Sequence, residues 1–127
     1  MKTMATAKSQ SSLVGASGEH LVLYRLLRMG YLAALAPQGA PNADIIATNV
    51  YGEKTAVIQV KTRRDIGADK GWHMKSKHEA MMSDKMFYCF VDLHEDETRL
   101  PTVFIIPSKV VAKALQETHN VWLNTLG

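Results

Sequence analysis

Two apolar runs, ADIIATNV at 43–50 and KTAVIQVKT at 54–62, are separated only by YGE. Runs rich in β-branched residues and bounded by turn residues read as strands, and so short a link makes them an antiparallel hairpin. In a hairpin the numbers of paired residues keep a constant sum. With Tyr51 and Gly52 as a two-residue turn, Val50 pairs with Glu53, and counting back sets Asp44 opposite Gln59. A longer loop that keeps the sum gives the same pairing. Directly opposed residues hold their Cβ atoms about 4.5–5.5 Å apart, and alternation places Lys61 on the same face as Gln59. An acid, an amide and an ammonium therefore meet on one patch of an otherwise apolar hairpin.

The segment from Leu13 to Met29 has helical spacing, with Ser11 or Ser12 as a cap and Gly30 where a left-handed terminator belongs. Glu19 lies on the stripe continued by Val22 or Leu23, Leu26 and Leu27. A carboxylate directed toward a core is costly unless a cation meets it. A divalent metal shared with Asp44 and Gln59 is one such cation, and oxygen donors suit Mg²⁺. Each residue also has a plainer reading. Asp44 can cap a loop, Gln59 can be an ordinary half-exposed strand residue, and Lys61 a solvated one. Glu19 can pair with His20, Arg25 or Lys61.

The remaining elements follow in order. YLAALAP (31–37) is a short strand and QGAPN (38–42) a loop; RRDIGADKG (63–71) is a loop and WHMKSKHEAMMSD (72–84) a short helix. KMFYCFVDL (85–93) is a buried strand, HEDETRLP (94–101) a loop and TVFIIP (102–107) a further strand, and Ser108 caps a last helix, KVVAKALQETH. NVWLNTLG follows beyond that helix. Met74, Met81, Met82 and Met86 read as core filling. The order predicts an α/β fold, a central mixed sheet flanked by helices.

With 127 residues the chain is long enough for one domain with its own core. We expect residues 1–12 to form a mobile polar arm and 13–127 a single domain. Charged residues make up 21% and no apolar run reaches membrane-spanning length, so a soluble, cytoplasmic protein is expected. The single cysteine, Cys89, lies in an apolar run and reads as packing. The formal net charge is +3, a weak signal by itself; its distribution says more. Lys61, Arg63, Arg64, Lys70, Lys75 and Lys77 crowd into 61–77, whereas acids gather in DLHEDE at 92–97. Such segregation favours an anionic partner near the basic segment.

Gly18-Glu19 in a first helix, PNAD (41–44) at one strand and IQVK (58–61) in the next give the chain a likeness to a known group. It resembles the PD-(D/E)XK nuclease superfamily over roughly residues 13–107, most of all Mrr-type restriction endonuclease catalytic domains and more loosely Holliday junction resolvases. The resemblance implies a restriction-endonuclease-like αβββαβ core and Mg²⁺-dependent hydrolysis of phosphodiester bonds in DNA, with Mn²⁺ as a substitute. It implies that Asp44, Gln59, the backbone carbonyl of Val60 and Glu19 hold the metal. Lys61 then orients the attacking water and stabilises charge on the phosphoryl oxygens. Arg63, Arg64, Lys70, Lys75 and Lys77 become contacts to phosphates. A domain this small lacks a separate recognition module, so a homodimer is one expected form. Two positions depart from the pattern. Ala43 separates the proline motif from Asp44, and Gln59 stands where most members carry an acid, supplying an oxygen without charge. The alternative is a nucleic-acid-binding or accessory module that keeps the nuclease fold without turnover.

Overall fold

The computed structural model describes the backbone of residues 7–64 and 83–126 and the side chains of 12–64 and 83–117. The elements are α1 (Ala7–Arg28), β1 (Leu32–Leu35), β2 (Ile45–Thr48), β3 (Thr55–Arg63), β4 (Met86–Asp92), β5 (Thr102–Pro107) and α2 (Ser108–Leu126). The strands form one sheet in the order β1-β2-β3-β4-β5. β3 and β4 run parallel and every other neighbouring pair is antiparallel. This is the expected mixed sheet with flanking helices. The helix expected at 72–84 falls mainly outside the described residues, as do Met74, Met81 and Met82; Ser83 and Asp84, at its end, are not helical.

Alternation along β3 and β4 divides the core in two. On one face Ile45, Ala47, Ile58, Val60, Cys89 and Val91 pack with Val22 and Leu26 of α1. On the other, Met86, Tyr88 and Phe90 pack with Val111 of α2. β4 serves both faces and is buried along nearly its whole length, which explains its unbroken apolar sequence. Burial pushes the Cys89 thiol up to about 11, so it is inert packing, as read from the sequence.

α1 begins at Ala7, six residues before the expected start, so residues 7–12 are helical. Ala, Lys and Gln in those turns are good helix formers, and the polar residues need no apolar stripe to continue a helix already anchored downstream. Its other end is as expected. Gly30 has φ +94°, its N–H donates to the Leu27 carbonyl, and the Tyr31 N–H donates to the Leu26 carbonyl. These two bonds satisfy the last carbonyls and turn the chain into β1.

The β2–β3 register is the expected one: Ile45↔Ile58, Ile46↔Val57, Ala47↔Ala56 and Thr48↔Thr55. The turn is not. Val50 and Glu53 are not a ladder pair; the loop runs from Asn49 to Lys54. Asn49 Oδ1 accepts from the N–H groups of Glu53 (2.8 Å) and Lys54 (3.1 Å), and its carbonyl accepts from Gly52 N–H at 3.0 Å. A two-residue hairpin turn of the favoured type would require positive φ at Tyr51, whereas here Gly52 takes it at +70°. The asparagine closes a longer loop with the same pairing sum.

At the other end, Ser108 does not cap α2. Fully buried, its hydroxyl accepts from Ser83 N–H (3.0 Å) and donates to the Ser83 carbonyl (2.9 Å). β5 passes straight into α2, so the side chain at the junction points inward and fastens the approach to β4. α2 extends to Leu126, past the expected end, and takes in the segment 120–126.

Candidate active site

Asp44 precedes β2 and stands one pair beyond the last ladder pair of the hairpin. Its N–H donates to the Ile58 carbonyl at 2.9 Å, and its carbonyl accepts from Ala36 N–H at 2.8 Å. Its carboxylate Oδ2 accepts from Val60 N–H at 2.8 Å. β2 therefore leaves β3 at Ile45, and the Asp44 side chain takes over the hydrogen bond that a continuing strand would have supplied. Asn42, at φ +61°, turns the chain into this position; asparagine tolerates that conformation better than most residues.

Glu19 reaches Asp44 from α1, and the two carboxyl groups lie close enough to act on each other. Partial burial raises the Glu19 pKa first of all; the Asp44 carboxyl beside it raises it further, and His20 works weakly the other way. The alternative pairings of Glu19 with its helical neighbours do not form. The Arg25 guanidinium donates to the Pro101 carbonyl at 3.2 Å, and His20 Nδ1 lies 2.8 Å from the Ala16 carbonyl. A carboxylate pressed on a carboxylate concentrates negative charge at the mouth of the β2–β3 fork.

Gly18 brings Glu19 this close. A Cβ built at Gly18 would overlap Thr62 Oγ1 and lie 2.8 Å from Thr62 Cβ and Cγ2. Only glycine lets α1 touch β3 here. The sequence shows a Gly-Glu pair, but not that the glycine is a contact with a residue beside Lys61.

Gln59 occupies the register position facing Asp44, and its half-buried side chain carries an Oε1 that is enclosed and has no hydrogen-bond partner. Lys61 is also half-buried. Alternation turns Gln59 and Lys61 to the sheet face of Tyr88 and Phe90, their partners in the parallel register. Glu19 comes from the α1 side, so the four residues flank the fork of the sheet from both faces and do not share one flat patch. Among the described residues no three His, Cys, Asp or Glu side chains gather as a metal site; the third oxygen here belongs to an amide. The donor set fits a hard cation nonetheless. It holds two carboxylates in mutual repulsion, an orphaned amide oxygen, and the Val60 carbonyl, which strand geometry directs to the same side as its N–H.

Of the residues expected to contact phosphates, Arg64 is exposed at the end of β3. Arg63 is held by Asp92, with Nε 3.0 Å from Oδ2. Lys70, Lys75 and Lys77 lie outside the described residues. Grouping 92–97 as one acidic segment missed a buried network. Asp92 and His94 are both buried. Asp92 Oδ1 accepts from His94 N–H at 3.0 Å and lies 3.4 Å from its Nδ1, while His94 Nε2 is 3.0 Å from Thr102 Oγ1. His94 takes φ +61° to close this ring. The available signal was position: Asp92 ends an apolar strand, whereas Glu95, Asp96 and Glu97 follow it into the loop.

No family model matches the chain, and no curated protein matches it. Among solved structures, the Holliday junction resolvase Hjc of Archaeoglobus fulgidus aligns over 75% of this chain and 73% of its own, at 21% identity and a TM-score of 0.46. An overlay that loose carries no argument about activity. No described helix is long and apolar enough to cross a membrane.

Proposed function

We propose that this chain is a metal-dependent endonuclease that hydrolyses phosphodiester bonds in DNA. The observation that carries the reading is the Glu19–Asp44 carboxyl pair at the β2–β3 fork, beside the orphaned oxygen of Gln59. A structural role gives no reason to press two carboxyls together at the cost of raising the pKa of one. A Mg²⁺ or Mn²⁺ bound by Asp44, Glu19, Gln59 Oε1 and the Val60 carbonyl would supply charge relief on the phosphate and a more acidic water.

The chain's own residues do the rest. Val60 N–H fixes one oxygen of Asp44, leaving the other to face a ligand. Glu19 would supply the second carboxylate to a cation held beside Asp44. Lys61, two residues from Gln59, orients the water that attacks phosphorus. The new P–O bond forms as the bond to the leaving oxygen breaks, and the Lys61 ammonium stabilises charge on the phosphoryl oxygens. Arg64 contacts the backbone beyond the cut, adding affinity without reading sequence.

The test is conversion of supercoiled plasmid and branched DNA to nicked and cut products, in Mg²⁺ or Mn²⁺ against EDTA. Wild type is expected to cut only with metal, and Asp44→Asn and Lys61→Ala to lose about 10²-fold or more. The neutral Gln59 supports one second reading, a DNA-binding module without turnover. Salt-sensitive DNA binding with no cutting in either metal would select it and sink the nuclease reading.

A further inference from the structure

β3 and β4 are the parallel pair of the sheet, and their carboxyl ends open into a cavity of about 470 Å³ beside the first half of α1. Ligands of open α/β sheets gather at that end of the strands. The apolar walls are Leu13 and Val14 of α1, Leu93 just after β4, and Pro101. The charged lining is Arg64, Glu95, Glu97 and Arg99. Among the described residues none of these four is held in an ion pair. Asp96, between the two glutamates, is used otherwise. Its carboxylate accepts from the Thr98 N–H at 3.0 Å and from the Thr98 hydroxyl at 2.7 Å, and its carbonyl accepts from the Arg99 N–H at 3.0 Å. That turn fixes the loop without using Glu95 or Glu97. The base of the cavity is firm: the Leu93 N–H donates to the Arg63 carbonyl at 2.8 Å, and His94, buried beside Asp92, lines it.

We propose that this cavity takes the base of an unpaired guanine nucleotide in a nucleic-acid strand. Two glutamates repel phosphate, so the interior does not suit the backbone. Aliphatic walls from α1 on one side and from Leu93 and Pro101 on the other suit a flat ring. Guanine alone among the DNA bases has two N–H donors side by side on one edge, N1–H and N2–H, which a single carboxylate accepts together. Its O6 and N7 accept from one guanidinium in a bidentate pair. The cavity offers both groups, a carboxylate from Glu95 or Glu97 and the guanidinium of Arg99. Adenine and cytosine set a ring acceptor beside their amine, and thymine sets its N–H between two carbonyls. Each of these therefore turns an acceptor toward the carboxylate, at the cost of an unmade hydrogen bond.

Arg64, at the end of β3, then holds the phosphate that leads the base in. It stands about 10 Å along the strand from Lys61, so one nucleic-acid strand runs past both. The inference names a substrate class for the proposed nuclease: DNA with an unpaired guanine beside the cut, as at a branch, since drawing a paired base out of a duplex costs a few kcal/mol. That extension rests on the nuclease reading. The base pocket itself does not, and it stands equally in a module that binds DNA without cutting it.

The test is fluorescence anisotropy of the full chain with short labelled oligothymidylates that carry one central guanine, adenine or cytosine, or none. EDTA is present throughout, so that binding is read apart from any metal-dependent cutting. The guanine oligomer is expected to bind about fivefold or more tightly than the other three. Glu95→Gln combined with Glu97→Gln, at exposed loop positions, should keep the wild-type circular dichroism and erase that preference. Affinity for plain oligothymidylate should stay unchanged or rise. Arg99→Ala should reduce the preference, whereas Arg64→Ala should weaken all four oligomers alike. Excess guanosine monophosphate should remove the preference in wild type. Equal binding of the four oligomers, binding of none, or a preference that survives in the folded double variant overturns the inference. Binding of guanosine monophosphate without any preference among the oligomers assigns the cavity to a free nucleotide and overturns it too. Plasmid cutting in Mg²⁺ reports separately on the nuclease reading.

Discussion

Two aspartates flank the C-terminal part of β3, one beside Gln59 and one beside Arg63, and they are treated in opposite ways. Asp92, at the end of β4, is buried and answered: Arg63 and His94 both turn to it. Asp44, ahead of β2, is half-buried and meets Glu19, another acid. Among the described residues, the Val60 N–H is the hydrogen-bond donor to its carboxylate. The first arrangement is what a fold does with a buried charge, since an unpaired one costs several kcal/mol. The second leaves electrostatic tension where packing alone gives no reason for it. The comparison separates a residue that holds β3 to β4 from one that we propose binds a metal.

The largest expected effect breaks the answered end. Asp92→Ala leaves Arg63 and His94 without their common acceptor. It should cost about 3 kcal/mol of unfolding free energy in urea titration, since removing one partner of a buried pair strands the other. A loss under about 1 kcal/mol would show that the network is decorative.

Next comes the contact that sets up the tension. Gly18→Ala drives a methyl group into Thr62 and must lift α1 from β3. A loss of about 1–3 kcal/mol is expected, together with a fall in any cleavage, because Glu19 moves with the helix. Thr62→Ala in the same chain removes Oγ1 and Cγ2 but leaves Cβ 2.8 Å away, so it should recover part of the stability, and an additive double mutant would refute the contact.

The smallest effect has the opposite sign. Glu19→Gln removes one of two repelling carboxylates, so the fold should become more stable at neutral pH, by at most about 1 kcal/mol because the side chain is part-exposed. The pH dependence follows from the raised pKa of Glu19. The folded state holds this proton more tightly than the unfolded chain, so the contribution of the pair weakens as pH rises from 4.5 through the raised value. Melting curves across that window should be flatter for Glu19→Gln than for wild type; parallel curves would mean that the two acids do not interact.

The unequal legibility of the two aspartates has a physical source. Asp44 could be set against Gln59 because a hairpin fixes its own register, and the register survived a mistaken turn: Asn49 lengthened the loop without changing the pairing sum. Gly30 was legible because helix termination is local chemistry. Asp92 was not, because its partner Arg63 and the Thr102 that holds His94 come from the strands on either side of β4, and sequence spacing does not report strand neighbours. The Gly18–Thr62 contact was hidden for the same reason. Ser108 misled because serine at a helix start usually caps, whereas burial redirected its hydroxyl to Ser83.

Thermal unfolding with and without Mg²⁺ or Mn²⁺, for wild type, Asp44→Asn and Glu19→Gln, bears most directly on the proposal that the unanswered acids await a cation. A ligand that binds only the folded state raises the melting temperature in proportion to its saturation. The account predicts a metal-dependent rise in wild type that is lost in Asp44→Asn and reduced in Glu19→Gln, with EDTA restoring the starting value. No rise in wild type, or an equal rise in all three, would contradict it.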